Sequence, residues 1–452
     1  MQSLPSTHAR AALEQLRRGP CTARELASAL DVSQPTVSRT LQRLDEQIVT
    51  IGAARSMQYA LRDPARADLV ADVYRVTPAG QVQELGTLVP VAPEGFVMIE
   101  TTGTRVHSDG LPWWLYDMRP QGYLGRAYNQ RHGARLGLPE RLTDWGDSHA
   151  LRALLLEGGD LPGNLLIGAT AYAQFINSTP PTPIAPGEIR EAYAALALAA
   201  ARGDLQGSSA AGEQPKFTAC IQAEDGTATQ VIVKFSASVA GPVSARWRDL
   251  LLAEHLALEV LRDAGVAAAR SRIIDHGVQR FLEVERFDRV GARGRRALHS
   301  LAALDAEFVG IGGRWPEIVR SLARRKVVAP EAVQGAELLW AFGTLIGNTD
   351  MHAGNLSFLS EQGRPYQLAP AYDMTPMVFA PTAGGDLPVR DLNLQVASQV
   401  PARAWVQALP LAREYVRRLR AQRTFSEEFS ACVALLAGHV GLAQAKIGQI
   451  VE

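Results

Sequence analysis

Asp350 and Asn355 share the run GNTDMHAGN, and Asp373 follows in LAPAYDMTP. A D-x-x-x-x-N spacing sets a carboxylate beside an attacking hydroxyl and an amide oxygen on a metal ion, the division of labour that phosphoryl transfer needs. A second acid must then arrive from a later strand or turn to share the metal. Asp373 suits that place, because Leu368, Ala369, Pro370, Ala371 and Tyr372 before it read as a short strand ending in a turn. Taken singly, each Asp or Asn is ordinary turn chemistry. Their joint spacing favours the catalytic reading.

Lysine usage points the same way. Of 46 Lys and Arg residues only Lys216, Lys234, Lys326 and Lys446 are lysine. Where arginine has taken the ordinary surface, a surviving lysine marks a place that needs a compact ammonium on a flexible stem. Lys234 ends the strand-like run Gln230, Val231, Ile232, Val233, so it projects from a buried β element as a phosphate-pairing lysine does, with a solvated strand-end charge as the alternative. Lys216 closes GSSAAGEQPK, whose small residues let backbone amides approach phosphate oxygens. Lys326 in ARRKVV and Lys446 near the C-terminal end read as solvated charges.

The elements that position these groups come in three expected units: residues 1–66, 67–288 and 289–452. In the first, a helix from about Thr7 to Arg18 stops at Gly19-Pro20. Thr22 and Glu25 have capping-box spacing and open a second helix. Ser33 is placed to cap a third, with Val37, Leu41, Leu44 and Ile48 on one face. Strand candidates 48–51 and 58–61 flank the tip Gly52, Ala53, Ala54, Arg55, Ser56. This pattern is a winged helix-turn-helix, whose third helix offers Gln34, Thr36, Ser38, Arg39 and Arg43 to base edges and phosphates, with Arg55 on the wing. A winged helix that binds only protein, or is purely structural, is the alternative, since arginines outnumber acids only modestly.

A Pro/Asp/Arg stretch from about Asp63 reads as a joint to a β-rich subdomain made by VYRVTPAG, LGTLVPVA and GFVMIETTG. Residues 111–177 carry aromatics and scattered histidines, of which His132 and His149 read as interior groups, and no metal triad. After Gly294 amphipathic helices dominate, near 331–346, 404–420 and 426–439. At 452 residues and 47% hydrophobic composition the chain exceeds one ordinary core. Its net charge of +0 excludes a global field for nucleic acid, leaving any such binding local. Isolated Cys21, Cys220 and Cys432, the polar start, and a longest apolar stretch of only 192–201 together predict a protein of the reducing cytoplasm with no membrane span.

With SAAGEQPK, VIVKF, VERFDR, GNTDMHAGN and APAYDM in that order, the chain from about residue 70 onward resembles the HipA-type serine/threonine kinases, toxins of bacterial persistence modules. The resemblance implies an α+β, bilobal protein-kinase-like fold, ATP and Mg2+ as cofactors, and phosphorylation of a protein hydroxyl, as on an aminoacyl-tRNA synthetase. It implies that Ala211, Gly212, Glu213, Gln214, Pro215 and Lys216 form a phosphate-binding loop and that Lys234 pairs with the α/β phosphates. Glu285, Arg286 and Phe287 would hold the adenine edge through backbone groups. Asp350 would be the base, His352, Ala353, Gly354 and Asn355 would complete the catalytic loop, Asn355 and Asp373 would bind Mg2+, and Tyr372 would lie beside the nucleotide. Ser209 occupies the place of the family's autophosphorylated serine, with Ser208 as a competitor; phosphate there adds about two negative charges beside the site.

One departure stands out: the family's toxins work with a separate helix-turn-helix antitoxin, whereas this chain carries its own. DNA binding in cis for autoregulation, through a dimer on two half-sites, is the expectation. A chain starting near residue 66 is then expected to lose operator binding and keep kinase activity. Two other classes share these residues: a DNA-binding regulator with an inactive nucleotide module, and a small-molecule phosphotransferase.

Overall fold

A computed structural model describes residues 7–53, 56–202, 214–361, 363–382, 384–388, 392 and 399–451. Arg55, Ser208, Ser209, Ala211, Gly212 and Glu213 lie outside them.

At the N-terminal end, helices Thr7–Leu16, Ala23–Leu30 and Gln34–Arg43 pack over a sheet in which Gln58–Leu61 lies between Cys21–Thr22 and Ile48–Ile51. The capping box closes as its spacing demands: the Thr22 backbone N–H donates to Glu25 at 2.7 Å, and the Glu25 N–H donates to Thr22 Oγ1 at 3.2 Å. Ser33 sits at the N-cap in extended conformation without capping, because its hydroxyl bonds Thr36 Oγ1 at 3.0 Å instead. Val37, Leu41, Leu44 and Ile48 are buried, and Gln34, Ser38, Arg39 and Arg43 are exposed.

The stretch read as a joint is a fixed contact. Asp63 opens the 3-10 turn Pro64–Leu69, and Arg66 pairs with Asp63 at 2.7 Å while donating to the carbonyls of Val91 and Glu94. Val49, Ile51 and Ala60 of the wing form one apolar cluster with Val89, Val91 and Val97 of the next sheet. The winged helix is therefore docked by its own hairpin, leaving the third helix's polar face outward.

That next sheet is antiparallel, in the order Arg105–Ser108, Phe96–Glu100, Val82–Pro90, Ala71–Val76, Leu165–Ile167. Gly86 is required where the strands approach, since a Cβ there would meet Ile99 O at 2.0 Å. Between the fourth strand in sequence, Arg105–Ser108, and the fifth, the edge strand Leu165–Ile167, residues 111–160 supply the 3-10 turn Trp113–Met118 and helices Gly122–Leu136 and Asp147–Glu157. His132 is buried, and His149 accepts the Gly146 N–H at 3.1 Å, closing the start of the second of those helices.

A second antiparallel sheet runs Ser271–His276, Gln279–Glu285, Ala228–Phe235, Lys216–Gln222. Strand alternation divides its faces. Val231 and Val233 pack with Phe217, Phe281 and the helix Ile189–Ala201 through Tyr193 and Ala197, which is where the alanine run goes. Ile232 and Lys234 take the other face, toward the helix Pro242–Asp263 and the third unit. That third unit packs helices Trp315–Arg324, Glu331–Leu345, Ala402–Ala421 and Phe429–Val451 around Trp315, Phe342, Trp405 and Tyr415.

Residues Phe429–Gln449 correct the apolar-run reading, being long and apolar enough to cross a membrane by length and composition. Scattered Ser430, His439 and Gln444 break the run in the sequence. In the fold, Phe429, Cys432, Leu436, Val440 and Ala443 bury one side of this helix in the main core, as a core helix does.

Candidate active site

Lys234 is the centre of the site, and it is 6% exposed. A buried ammonium persists only when paired. Its Nζ donates to Glu254 Oε1 at 2.7 Å and Oε2 at 2.9 Å, and to Asp373 Oδ1. Glu254, which the sequence reading missed, projects from the middle of the helix Pro242–Asp263 and also accepts from Thr375 Oγ1 at 2.7 Å. Burial alone lowers the Lys234 ammonium, but the two carboxylates more than reverse it and hold the pKa above the ordinary lysine value. Burial raises the Asp373 carboxyl, yet Lys234 and Lys216 pull it below the usual range, so it stays ionised. Burial also raises Glu254, and Lys234 only partly offsets that.

Lys216 belongs to the strand rather than to the loop expected for it. It pairs in register with Lys234, which points both side chains to one face, and both line the same cavity. Gln214 and Pro215 precede it, and the Pro215 carbonyl accepts the Phe235 N–H at 3.1 Å.

The loop 348–355 is built by its own hydrogen bonds. Asn348, also unforeseen, accepts the Asp350 N–H at 3.0 Å and donates to the Asp373 carbonyl at 3.1 Å. Asp373 itself holds a left-handed backbone with φ 53°, a conformation an Asp tolerates at modest cost. Asn355 Nδ2 donates to the Asp350 carbonyl at 2.8 Å, so its amide oxygen is the atom left for a cation. The His352 carbonyl accepts from Trp315 Nε1 at 2.8 Å, and His352 Nδ1 accepts the Gly354 N–H at 3.0 Å across Ala353. Asp350 is half-exposed, with His352 Nε2 at 3.8 Å.

A cavity of about 280 Å³ runs from Lys216, Lys234, Asp373, His352 and Asn355 to Glu285–Phe287, between Ile232, Val284 and Leu298. Tyr372 donates to the Gly354 carbonyl at 2.9 Å, bonds Ser357 Oγ at 2.7 Å, and faces Phe287 with ring centroids 5.7 Å apart. The backbone N–H groups of Glu285 and Arg286 are already given to the Arg270 and Gln230 carbonyls. Among the described residues the Phe287 N–H has no acceptor, leaving it as the donor at this edge. The Arg286 side chain is engaged by Asp160 at 2.8 Å and Asp288 at 3.0 Å. Asp117, from the aromatic 3-10 turn, enters the cavity wall and accepts the Ser300 N–H at 2.6 Å; burial pushes its carboxyl up.

The sequence motifs for Lys234, the 350–355 loop and Tyr372–Asp373 thus meet at one cavity. Glu254 lacked a local motif; its signal was an acid in an apolar helix soon after the lysine strand. Asp117 had none, because its neighbours Trp113 and Trp114 read as core.

Comparison with known proteins gives this geometry its relatives. Residues 208–435 match the HipA-like C-terminal domain, residues 68–176 the YjjJ-like toxin middle domain, and residues 9–47 a helix-turn-helix model of bacterial regulatory proteins of the arsR family. Toxin YjjJ of Escherichia coli (strain K12) is 39% identical over 417 residues, 92% of this chain and 93% of that protein. The fold is shared with HipA in a Shewanella oneidensis MR-1 complex of HipA, HipB and operator DNA, with TM-score 0.54 and 18% identity, covering 84% of this chain and 99% of that one. The α+β, kinase-like body and the winged helix accord with these relatives, and the chain belongs to the HipA-type toxin family as a member with its own N-terminal helix-turn-helix.

Proposed function

We propose that this chain is a cytoplasmic serine/threonine protein kinase toxin that uses ATP and Mg2+, phosphorylates itself at Ser209 and a protein target, and binds DNA through residues 1–66 as a dimer. The carrying observation is the Glu254–Lys234–Asp373 bridge, with Lys234 and Asp373 lining the same cavity as Asn355, whose amide is bonded to Asp350. A lysine fixed by a helix glutamate and adjoining a metal-binding aspartate is the working arrangement of kinase phosphate sites. An ionised Asp373 and the free amide oxygen of Asn355 suit Mg2+, which takes one or two protein oxygens and fills its octahedron with phosphate and water.

In this reading residues 67–288 and 289–452 are the two lobes. Ile232, Val284 and Leu298 exclude water around the base, and the Phe287 N–H fixes its edge. Lys216 and Lys234 place two ammonium groups on the phosphates. Mg2+, when bound, neutralises the phosphate charge that develops in transfer. Asp350 orients the target hydroxyl and takes its proton as the oxygen bonds the γ-phosphorus and ADP leaves. A translation factor such as an aminoacyl-tRNA synthetase is the proposed class of target. Arg39 and Arg43, with Gln34, Thr36 and Ser38, supply the DNA contacts.

Calorimetric titration of the full chain with ATP and Mg2+ tests the site. Asp350→Asn is expected to bind nucleotide as the parent does and to lose transfer, whereas Lys234→Met is expected to weaken binding by about tenfold or more. Equal binding by Lys234→Met, with an unchanged melting temperature, would remove the reading's main support.

A further inference from the structure

We propose that the chain has a second small-molecule site, a cavity behind the nucleotide pocket that takes an uncharged planar heteroaromatic compound carrying one hydrogen-bond donor and one acceptor. The cavity, of about 350 Å³, lies between the sheet of Ala71–Glu100 and the strands Ala297–Ser300 and Ser357–Ser360. That size is in the range of ligand pockets.

Its walls are aromatic. His299 has its ring 4.8 Å from Trp113 and 5.2 Å from Tyr366, and Trp114 joins them at the cavity. Val73, Leu85 and Met98 supply the apolar floor. His299 is only 8% exposed, yet among the described residues neither of its nitrogens has a hydrogen-bond partner, and neither is sealed within packing. Buried polar groups are satisfied in the great majority of cases. A neutral imidazole aimed into a cavity therefore points to a partner from outside the chain, with one donor and one acceptor. The charged groups at this cavity are already engaged: Arg75 with Gln83, Glu100 with Thr102, and Glu361 with Arg296. What remains at the cavity is aromatic surface with the His299 imidazole and the neutral side chains of Thr101 and Asn164, which selects a flat neutral ligand.

The site is separate from the nucleotide cavity but shares its wall. On the strand Ala297–Ser300, Leu298 and Ser300 face the nucleotide and Ala297 and His299 face the second cavity, as two-residue alternation requires. Across the ladder Ser357 and Ser360 divide the same way, and in the 3-10 turn Trp113 and Trp114 go to one cavity, Tyr116 and Asp117 to the other. The inference does not depend on phosphoryl transfer.

Benzimidazole is the probe, since it is flat, mostly neutral and carries one donor and one acceptor. Titrated calorimetrically into the full chain, it is expected to bind with Kd of about 0.1–1 mM. His299→Phe keeps the ring and removes both nitrogens; binding is expected to weaken about fivefold or more, while the melting temperature stays level or rises because two unsatisfied atoms are gone. Leu85→Trp, which fills the floor, is expected to abolish binding. Absence of heat with the parent chain, heat unchanged by His299→Phe, or a soaked crystal with only ordered water at His299 would each overturn the site.

Discussion

Glu254, Lys234 and Asp373 place two carboxylates on one buried ammonium, so removing any one changes the charge the others must bear. Glu254→Gln keeps the shape but removes the charge and leaves one acceptor oxygen where Lys234 donated to two, so Asp373 becomes its one charged partner. Phosphate transfer is expected to fall about a hundredfold with secondary structure unchanged by circular dichroism; full activity would deny Glu254 a positioning role. His299 gives a second test at this scale. Burial lowers its pKa to about 4, while the unfolded residue titrates near about 6.5. The unfolded state thus binds the extra proton first as pH drops, and stability is lost between about 6.5 and 4, on the order of 3 kcal/mol in full. Its surroundings are the Trp113 and Tyr366 rings, with Arg75, Glu100 and Glu361 at the cavity. Urea unfolding at pH 7.5 and pH 5 is expected to show a smaller difference in His299→Phe than in the parent. Equal differences would place the titration elsewhere.

Elements in this fold are fastened by buried ions as well as by apolar faces. Asp160 and the carbonyls of Leu161 and Gly163 meet Arg286 and Arg289, while Asp288 accepts from both arginines and from the Gly163 N–H. This clasp ties the aromatic 111–163 region to the end of the strand Gln279–Glu285, at the edge of the cavity that Lys234 lines. Asp288→Ala leaves two buried arginines with Asp160 as their one shared carboxylate, and is expected to cost about 3–5 kcal/mol in denaturant unfolding. The sign with pH follows from the arginines holding Asp288 below the usual carboxylate range despite burial. Its contribution is complete above about pH 4 and is lost as pH falls through the lowered folded value. The elements themselves were largely legible: Thr22–Glu25 wrote its capping box, and VIVKF its strand, in local residue types. The clasp was not, because Asp160 and Asp288 are far apart in sequence and each alone reads as a turn residue.

At the scale of the whole molecule, the winged helix shares an apolar seam with the neighbouring sheet through Val49, Ile51, Val89 and Val97. Period-2 patterning marked those valines as buried but could not say against what, so the stretch near 66 read as a joint between two units. Starting the chain there would bare Val89, Val91 and Val97, which makes substitution on the third helix the cleaner probe of DNA binding. Arg39→Ala with Arg43→Ala is expected to weaken binding to the DNA upstream of its own coding sequence by about tenfold or more in fluorescence anisotropy, with the melting temperature unchanged. Unaltered binding would move the DNA contact off this face. The motifs that meet at the cavity were legible because each is a local run of residue types at fixed spacing; Glu254 and Asp117 were not, since tertiary packing alone brings Glu254 to Lys234 and Asp117 to the cavity wall. The measurement closest to the central claim is the intact mass of phosphatase-treated protein after incubation with ATP and Mg2+, beside Asp350→Ala. A gain of one phosphate mapped to Ser209 in the parent, and none in Asp350→Ala, is the expected result. An unchanged mass in a parent chain that binds ATP, or an equal gain in Asp350→Ala, would contradict it.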